Sequence, residues 1–353
     1  LPSDRALSFL PLCHIYERTD IYMYMYYGVS VYYAESMETI ADNIREVKPA
    51  MFATVPRLLE KVYDKILAKG NELTGIKRTL FFGALEFGLQ YDPMEKLGFL
   101  DSLKLAFYRK VIFSKWREAL GGNVRLIASG SAALQPRLSR VFWAAGVPVS
   151  EGYGLTETSP VVSCNPIHKI KVETVGPPFK GNQVKIADDG EILVKGENVM
   201  LGYWNNELET NKVLKDGWLY TGDIGHFEND YLKITDRKKD IIITPGGDNI
   251  SPVKLENDIV KIDFIEQALV YGDNKPYLVA LLVLKKEKKE ITNENIIHKI
   301  EIINKNLSKI EKIKKFLIIE DQFTIENGLM TPTLKLKRYK IIQKYKNQVE
   351  DLY

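Results

Sequence analysis

The segment EGYGLTETSP, residues 151–160, holds the side chains best suited to nucleotide chemistry. Within ten positions it combines an aromatic ring, two glycines, several hydroxyls and carboxylates. A tyrosine can stack on a base, a threonine can hydrogen-bond a phosphate oxygen, and a glutamate beside phosphates suits Mg²⁺, which prefers oxygen ligands. A polar turn after a strand would explain the glycines but not the whole ordered set. The segment therefore predicts a nucleotide site.

A second chemical segment runs from Trp218 to Pro252. Asp223 lies between glycines in TGDIG, a pattern that favours a turn with one carboxylate held out. Arg237 and Asp240 bracket two lysines, and an apolar strand-like run then ends at the break Pro245-Gly246-Gly247. A short charged joint between an acidic turn and a glycine-rich loop is typical of a domain boundary.

Weaker signals come from small residues and from a lone histidine. Gly130, Ser131 and Ala132 follow a β-type run, where small residues let a planar ligand approach the backbone. His14 follows the apolar run 7–12 at a strand-to-helix transition, and spacing alone favours a structural role for it. The tyrosine- and methionine-rich residues 19–33 predict a core helix and a buried strand, which would also suit the wall of an aliphatic pocket.

The elements needed to position these residues alternate along the chain. Strand and helix patterns from residue 6 to residue 149 predict a parallel sheet with covering helices. Residues 71–118 are helical and amphipathic but carry no recognisable chemistry. Short, punctuated strands from about 172 to 236 predict a small β-barrel subdomain, and an α+β order follows it.

Composition excludes several classes of protein. The chain has 353 residues, with 49 basic and 46 acidic side chains, a balance that does not favour nucleic acid as a partner. Two cysteines and four histidines indicate neither a disulfide framework nor a transition-metal site, and favour a reducing compartment. The charge-free run Ile21–Ala34 is well short of the roughly 20 residues of a spanning helix. The charged run Lys285–Glu290 favours a solvated turn, with acidic lipid or CoA phosphates as alternative partners.

The motifs together resemble the carboxylate-activating adenylate-forming enzymes, which include acyl-CoA synthetases, luciferases and peptide-synthetase adenylation domains. The runs LPLCHIYER (10–18), YGLTE (153–157), DGWLYTGD (216–223) and MTPTLKLKR (330–338) are most similar to those of long-chain fatty acyl-CoA synthetases. The resemblance covers essentially the whole chain. It implies an α/β large domain, made of parallel sheets with helices plus the small β-barrel, followed by a small mobile α+β domain.

The resemblance also implies roles for individual residues. Tyr153 would stack on adenine beside Gly154, with Gly130, Ser131 and Ala132 on its other side; Thr156 would meet the α-phosphate, and Glu157 would help to bind the metal. Asp223 would accept the ribose hydroxyls, with Arg237 at the ribose or the phosphates. Lys335 would support adenylation, Gly246 and Gly247 would border the entry of CoA, and His14 would lie near the acyl channel.

By the same resemblance, residues 1–237 belong to the large domain and residues 238–353 form a lid with its hinge near Lys239. The implied reaction joins a long-chain fatty acid to CoA with ATP and Mg²⁺, in the cytoplasm or on the cytoplasmic face of a membrane, with possible peripheral membrane contact. No specific protein partner is indicated. The Ser/Thr/Gly-rich phosphate loop of the family is not found, and the chain begins at Leu1, so we expect it to be N-terminally incomplete and doubtful as an enzyme alone. Two alternatives stay open: a ligase of the same scaffold for another acid or for a carrier-protein acceptor, and a non-catalytic nucleotide- or lipid-binding remnant.

Overall fold

The computed structural model describes residues 3–285 and 291–353. The predicted charge run Lys285–Glu290 therefore lies, from residue 286 on, outside the described residues. The described chain divides into two compact units, Leu1–Thr221 with His226–Ile234, and Gly222–Gly225 with Thr235–Tyr353. None of the helices in the described ranges is both long enough and apolar enough to cross a bilayer.

The first unit begins with alternating strands and helices. They are β1 (Arg5–Ser8), α1 (Ile15–Tyr26), β2 (Ser30–Tyr33), α2 (Ile40–Val47), β3 (Met51–Thr54), α3 (Pro56–Asn71), α4 (Gly75–Gln90), α5 (Phe99–Val111), α6 (Phe113–Ala119), β4 (Leu126–Ser129), α7 (Pro136–Ala144), β5 (Val149–Gly154) and β6 (Val161–Cys164). A short 3₁₀ helix, Thr156–Thr158, separates the last two strands. Prolines begin α3 and α7, where the missing N–H has no helical partner to lose.

The six strands form one sheet in the order β2-β1-β3-β4-β5-β6. Its first five strands are parallel and β6 is antiparallel to β5. Parallel pairing brings the carboxyl ends of β4 and β5 to one edge, with Ser129 opposite Glu151. Helices cover the apolar faces, and the core contains the fully buried Phe113, Leu138 and Phe142.

The remaining elements complete the chain. They are β7 (Gln183–Ile186), β8 (Glu191–Lys195), α8 (Glu207–Val213), β9 (Leu214–Lys215), β10 (Trp218–Glu228), β11 (Tyr231–Arg237), β12 (Ile242–Ile243), β13 (Asn249–Ile250), α9 (Pro252–Ile259), β14 (Ile265–Tyr271), β15 (Leu278–Leu284), α10 (Asn293–Asn304), β16 (Ile313–Ile319), α11 (Arg338–Lys344) and α12 (Lys346–Glu350). Strands of the predicted barrel region pair in the order β11-β10-β8-β7, with β9 on β10.

The second unit is built around the sheet β14-β15-β16. Alternate residues of β15 enter two different apolar clusters, Leu278, Ala280 and Leu282 in one and Val279, Leu281 and Val283 in the other. Both faces of this strand are therefore covered, which explains its unbroken apolar sequence. The predicted order, an α/β portion followed by a smaller α+β portion, is confirmed.

Two local predictions were wrong. Asp223 lies inside β10 rather than in a turn, because pairing on the sheet holds its segment extended. Residues 19–33 form the predicted helix and strand, but β2 is an edge strand and much of the segment is exposed, Tyr26 at 84% and Tyr33 at 60%.

Candidate active site

In the first unit, the small residues 130–132 follow the end of β4, and Tyr153 lies near the end of the neighbouring strand β5. Gly130 is buried directly after β4, while Ser131 is half-buried and Ala132 is exposed. A Cβ on Gly130 would lie 3.2 Å from the Cε1 atom of Tyr16, so this position has little room for a side chain. Tyr153 is 8% exposed near the end of β5. The sheet thus brings together the two segments predicted to flank adenine.

The backbone after Tyr153 turns tightly. A Cβ on Gly154 would lie 1.7 Å from the carbonyl oxygen of Pro160, so only glycine fits there. The Leu155 amide donates to that same carbonyl at 3.1 Å, and it also donates to Thr158 Oγ1 at 2.9 Å. This internal bonding fixes the short loop and leaves Thr156 exposed.

A distant loop, residues 198–204, holds the carboxylate of Glu157. The Tyr203 hydroxyl donates to Glu157 Oε1 at 2.8 Å, and the Met200 amide donates to the Glu157 carbonyl at 2.8 Å. Asn198 Nδ2 donates to the carbonyl of Thr158 at 2.8 Å. Burial and the bond to Glu157 raise the pKa of Tyr203 to about 12, so its hydroxyl stays a donor. The sequence analysis did not identify Tyr203 as a partner of Glu157.

Glu157 could hold a metal ion only together with further ligands such as nucleotide phosphates and water. The Tyr203 bond occupies one of the two carboxylate oxygens. Among the described residues, no group of three or more histidine, cysteine or acidic side chains could hold a metal ion. Mg²⁺ is often bound through one or two carboxylates together with substrate phosphates and water, so the residues fit a metal that arrives with a nucleotide.

His14 caps the N-terminus of α1. Its Nδ1 atom accepts from the Tyr16 amide at 3.3 Å, and the residue is half-buried. The cap starts the helix that carries Tyr16 against Gly130. This contact is structural, as spacing alone predicts, and its place in an acyl channel stays a prediction.

Three acidic side chains that each have a buried carboxylate oxygen were not foreseen. Burial raises the pKa of Glu17 and of Asp20 to about 7, and that of Glu151 to about 8. One oxygen of each is buried without a hydrogen-bond partner among the described residues. Glu17 and Asp20 are three residues apart on α1, a spacing that places them on one helix face and was available as a signal.

The second unit contains the predicted ribose pair. Arg237 Nε donates to Asp223 Oδ1 at 2.7 Å, and Asp223 is 4% exposed while Arg237 remains partly open to solvent. Asp223 lies on β10 and Arg237 ends β11, so strand pairing explains how residues fourteen positions apart meet. An ionised carboxylate only accepts hydrogen bonds, and the bond from Arg237 fixes the direction of the Asp223 carboxylate.

Lys335 lies in a tight loop of the same unit. The Thr331 amide donates to the Lys335 carbonyl at 2.8 Å, and the Lys335 amide donates back to Thr331 Oγ1 at 3.0 Å. Leu334 has a φ of 60°, a left-handed conformation that non-glycine residues seldom adopt. Desolvation of its amino group and the charge of Arg237 lower the pKa of Lys335, and the charge of Asp223 opposes them. Lys335 is exposed as a whole residue, and its amino group lies within electrostatic reach of Asp223 and Arg237.

Arg338, to which the sequence analysis assigned no role, anchors this loop. Its Nη1 donates to Glu256 Oε1 at 2.6 Å and its Nη2 to the Val270 carbonyl at 2.6 Å. The Val270 amide donates to the same Glu256 oxygen at 2.7 Å. The start of α11 is thereby bonded to α9 and β14.

The other predicted residues lie in exposed turns of the second unit. Lys239 is in the turn after β11, where the Asp240 amide donates to the Arg237 carbonyl at 2.9 Å. Gly246 and Gly247 join β12 to β13, and Gly247 has a φ of 85° that favours glycine. The Gly247 amide donates to the Thr244 carbonyl at 2.9 Å, which closes this hairpin.

The chain matches two family models. Residues 1–204 match the AMP-binding enzyme family, and residues 239–353 match the C-terminal domain of AMP-binding enzymes. The sequence is 36% identical to the long-chain-fatty-acid–CoA ligase FadD15 of Mycobacterium bovis, over 99% of this chain and 62% of that protein. It is 33% identical to the mouse long-chain-fatty-acid–CoA ligase 6, over 99% of this chain and 54% of that protein. The chain therefore spans less than two thirds of the length of either ligase.

Solved structures share the fold at lower identity. The adenylation domain of a carboxylate reductase from Mycobacterium chelonae superposes with a TM-score of 0.76 at 23% identity, covering 99% of this chain and 54% of that one. The o-succinylbenzoate CoA synthetase of Bacillus subtilis, solved with ATP and magnesium, superposes with a TM-score of 0.67 at 24% identity, covering 95% of this chain and 61% of that one.

Proposed function

The chain belongs to the AMP-binding enzyme family, and from this membership we propose that the protein is a long-chain fatty acid–CoA ligase. Its reactants would be a long-chain fatty acid, ATP and CoA, and its products acyl-CoA, AMP and pyrophosphate. The free cysteines Cys13 and Cys164 suit a reducing compartment, so we place the reaction in the cytoplasm or on the cytoplasmic face of a membrane.

The proposed reaction has two steps. A carboxylate oxygen of the fatty acid attacks the α-phosphorus of ATP, an O–P bond forms, and the bond to the β-phosphate breaks to release pyrophosphate. The thiolate of CoA then attacks the acyl carbonyl of the adenylate, a C–S bond forms, and AMP leaves with the bonding electrons. Mg²⁺, when bound with the nucleotide, would neutralise phosphate charge.

Residues of the first unit would hold the base and the α-phosphate. Tyr153 would stack on adenine beside Gly154, opposite the small residues 130–132, where a Cβ on Gly130 has little space. Thr156, exposed on its fixed loop, would donate its hydroxyl to the α-phosphate. Glu157 would hold the metal through a carboxylate whose direction Tyr203 sets. His14 would border the acyl channel.

Residues of the second unit would bind the ribose and supply the cation. Asp223 would accept the ribose hydroxyls, oriented by Arg237 at 2.7 Å. Lys335 would bridge the attacking carboxylate and the α-phosphate, which offsets the charge that builds in the transition state. The observation that carries the proposal is the match of residues 1–204 and 239–353 to the two AMP-binding enzyme models, together with 36% identity to a long-chain-fatty-acid–CoA ligase.

The C-terminal domain, residues 238–353, would turn about Lys239 between the two steps. Lys239 is exposed in a turn that directly follows β11, and a turn residue can absorb a change of backbone dihedral angles. The glycine hairpin at 246–247 would border the path of CoA after this turn.

The test separates the two steps in the whole protein. Lys335→Ala is expected to reduce ATP–pyrophosphate exchange with palmitate by more than a hundredfold, and to leave acyl-CoA formation from preformed palmitoyl-adenylate within about threefold of wild type. Lys337→Ala is the matched control, since this nearby lysine is the competing assignment. Equal loss of both steps, or a larger loss in the control, would refute the role of Lys335.

A panel of acids and acceptors tests the function itself. Exchange with palmitate and thioester formation on CoA are expected to exceed those with short or aromatic acids and with a carrier protein. Preference for another acid or for the carrier would assign a different ligase. Nucleotide binding without pyrophosphate release would identify a non-catalytic protein.

A further inference from the structure

The helix α5 carries apolar side chains on the face that points away from its unit. Leu105 and Tyr108 are buried against the protein. The opposite face carries five exposed apolar residues, named here the α5 stripe: Phe99 (78% exposed), Leu100 (78%), Leu103 (55%), Phe107 (48%) and Val111 (38%). A run of this kind on a helix is far from the usual scatter of single exposed apolar residues.

The α5 stripe follows one side of the helix, and its direction is fixed. Phe99, Leu103, Phe107 and Val111 recur every four residues, so at 1.5 Å per residue they extend along about 18 Å of one helix side. Arg109 Nε donates to the Ala144 carbonyl at 2.9 Å and its Nη2 to the Trp143 carbonyl at 3.2 Å. These bonds tie α5 to the end of α7, and the stripe cannot turn inward without breaking them.

Exposed lysines lie on α5 itself and on α6, which follows it directly. Lys104, Lys110 and Lys115 are exposed, and Lys104 lies over the rings of Phe87 and Tyr108 at 5.4 and 5.9 Å. Residues 94–118 contain six basic and three acidic side chains. A second copy of this chain placed on the stripe would bring its lysines against like charges. A flat anionic surface would meet the apolar side chains and attract the lysines at once.

We propose that the α5 stripe docks on the surface of an anionic phospholipid bilayer. The aromatic and aliphatic side chains enter the boundary between headgroups and acyl chains, and the lysines contact the phosphates. The contact is peripheral, because the helix is 13 residues long and lies along the surface of its unit. This proposal is independent of the ligase assignment, since vesicle binding is measured without substrates.

The experiment is flotation of the whole protein with vesicles of phosphatidylglycerol and phosphatidylcholine, and with phosphatidylcholine alone. We expect binding to the anionic vesicles that weakens at high salt. Leu103→Ser with Phe107→Ser should reduce the partition coefficient at least tenfold. Lys110→Gln with Lys115→Gln should reduce it about fivefold for each lysine removed. Leu208→Ser is the matched control, because Leu208 is 79% exposed on α8, outside the stripe.

A second measurement tests the proposal even if one of the variants above folds poorly. Phe107→Trp should show a blue-shifted emission on anionic vesicles and quenching by brominated acyl chains. The proposal fails if wild type does not float, or if the stripe variant and Leu208→Ser float equally. It also fails if stripe variants change the sedimentation mass, which would assign the face to a second copy. Protection of Leu103→Cys from a polar maleimide without vesicles would assign it to another protein segment.

Discussion

Replacement of Arg338 by methionine should destabilise the C-terminal unit by about 3 kcal/mol. The guanidinium makes two hydrogen bonds of 2.6 Å, to Glu256 Oε1 and to the Val270 carbonyl. Removal of one partner of a buried pair costs about 3–5 kcal/mol, since the other charge stays buried without compensation. The side chains of Arg338 and Glu256 are 19% and 13% exposed, so we expect the lower end of that range.

The loss should grow with pH. Burial raises the pKa of Glu256 even though Arg338 lowers it, and removal of the guanidinium raises the folded-state pKa further. A carboxyl with a raised folded pKa stabilises the fold below its unfolded pKa, and this contribution disappears as the pH rises through the folded value. The variant should therefore be closest to wild type in acid and weakest at alkaline pH.

The measurement is the free energy of local and global opening from hydrogen exchange at the amides of β14 and β15. Amides of β4 in the other unit provide an internal reference. Glu256→Gln combined with Arg338→Met should recover much of the loss, because no uncompensated charge remains. Lys340→Met, at an exposed lysine of α11, is the matched control. A loss no greater than that of the control, or one independent of pH, would refute the argument.

Three further changes test other parts of the candidate site. Tyr203→Phe removes the hydroxyl that donates to Glu157 at 2.8 Å, and should raise the Mg²⁺ concentration for half-maximal adenylation about tenfold, measured by metal titration. Gly154→Ala places a Cβ 1.7 Å from the Pro160 carbonyl oxygen, and should abolish nucleotide binding measured by calorimetry. Glu151→Gln replaces a carboxyl whose pKa burial raises to about 8. Since such a group loses its stabilising effect as the pH rises through 8, the variant should melt above wild type at pH 9 but not at pH 5.

Each of these changes has a control or a contradicting outcome. Tyr339→Phe alters an exposed tyrosine and should leave the metal requirement unchanged. Gly98→Ala adds a Cβ where nothing lies within 4 Å and should bind nucleotide normally. Parallel pH dependence of melting in wild type and Glu151→Gln would show that burial does not hold this carboxyl neutral.

Local sequence patterns predicted much of the fold, because the elements that they indicate depend mainly on residues close together in the sequence. The alternation of strand and helix patterns predicted the parallel sheet and its helices, and the apolar run of β15 reflects a strand covered on both faces. Asp223 was placed in a turn because glycine flanks it, yet pairing within the sheet holds it extended. Strand pairing depends on partners that a local pattern does not contain.

The motifs predicted the residues of the candidate site, but they did not predict the side chains that hold those residues in place. Tyr203 and Glu157 are 46 residues apart, and Arg338 and Glu256 are 82 apart. Neither pair has a spacing that marks it, because the contacts arise only when loops and helices pack. The exposure of Tyr26 and Tyr33 was missed for the same reason: burial depends on which strand lies at the edge of the sheet.

The two compact units are not consecutive stretches of sequence. The chain leaves the first unit after Thr221, returns at His226 and leaves again after Ile234, so it passes between the units three times. A single recombination event at residue 235 would therefore exchange an incomplete C-terminal unit. The segment Gly222–Gly225, which includes Asp223, would then come from the parent protein, while Arg237 and Lys335 would come from the donor. The residues of this unit that we propose to bind ribose and to support adenylation are thus inherited through two separate segments, and a graft from a relative has to carry both.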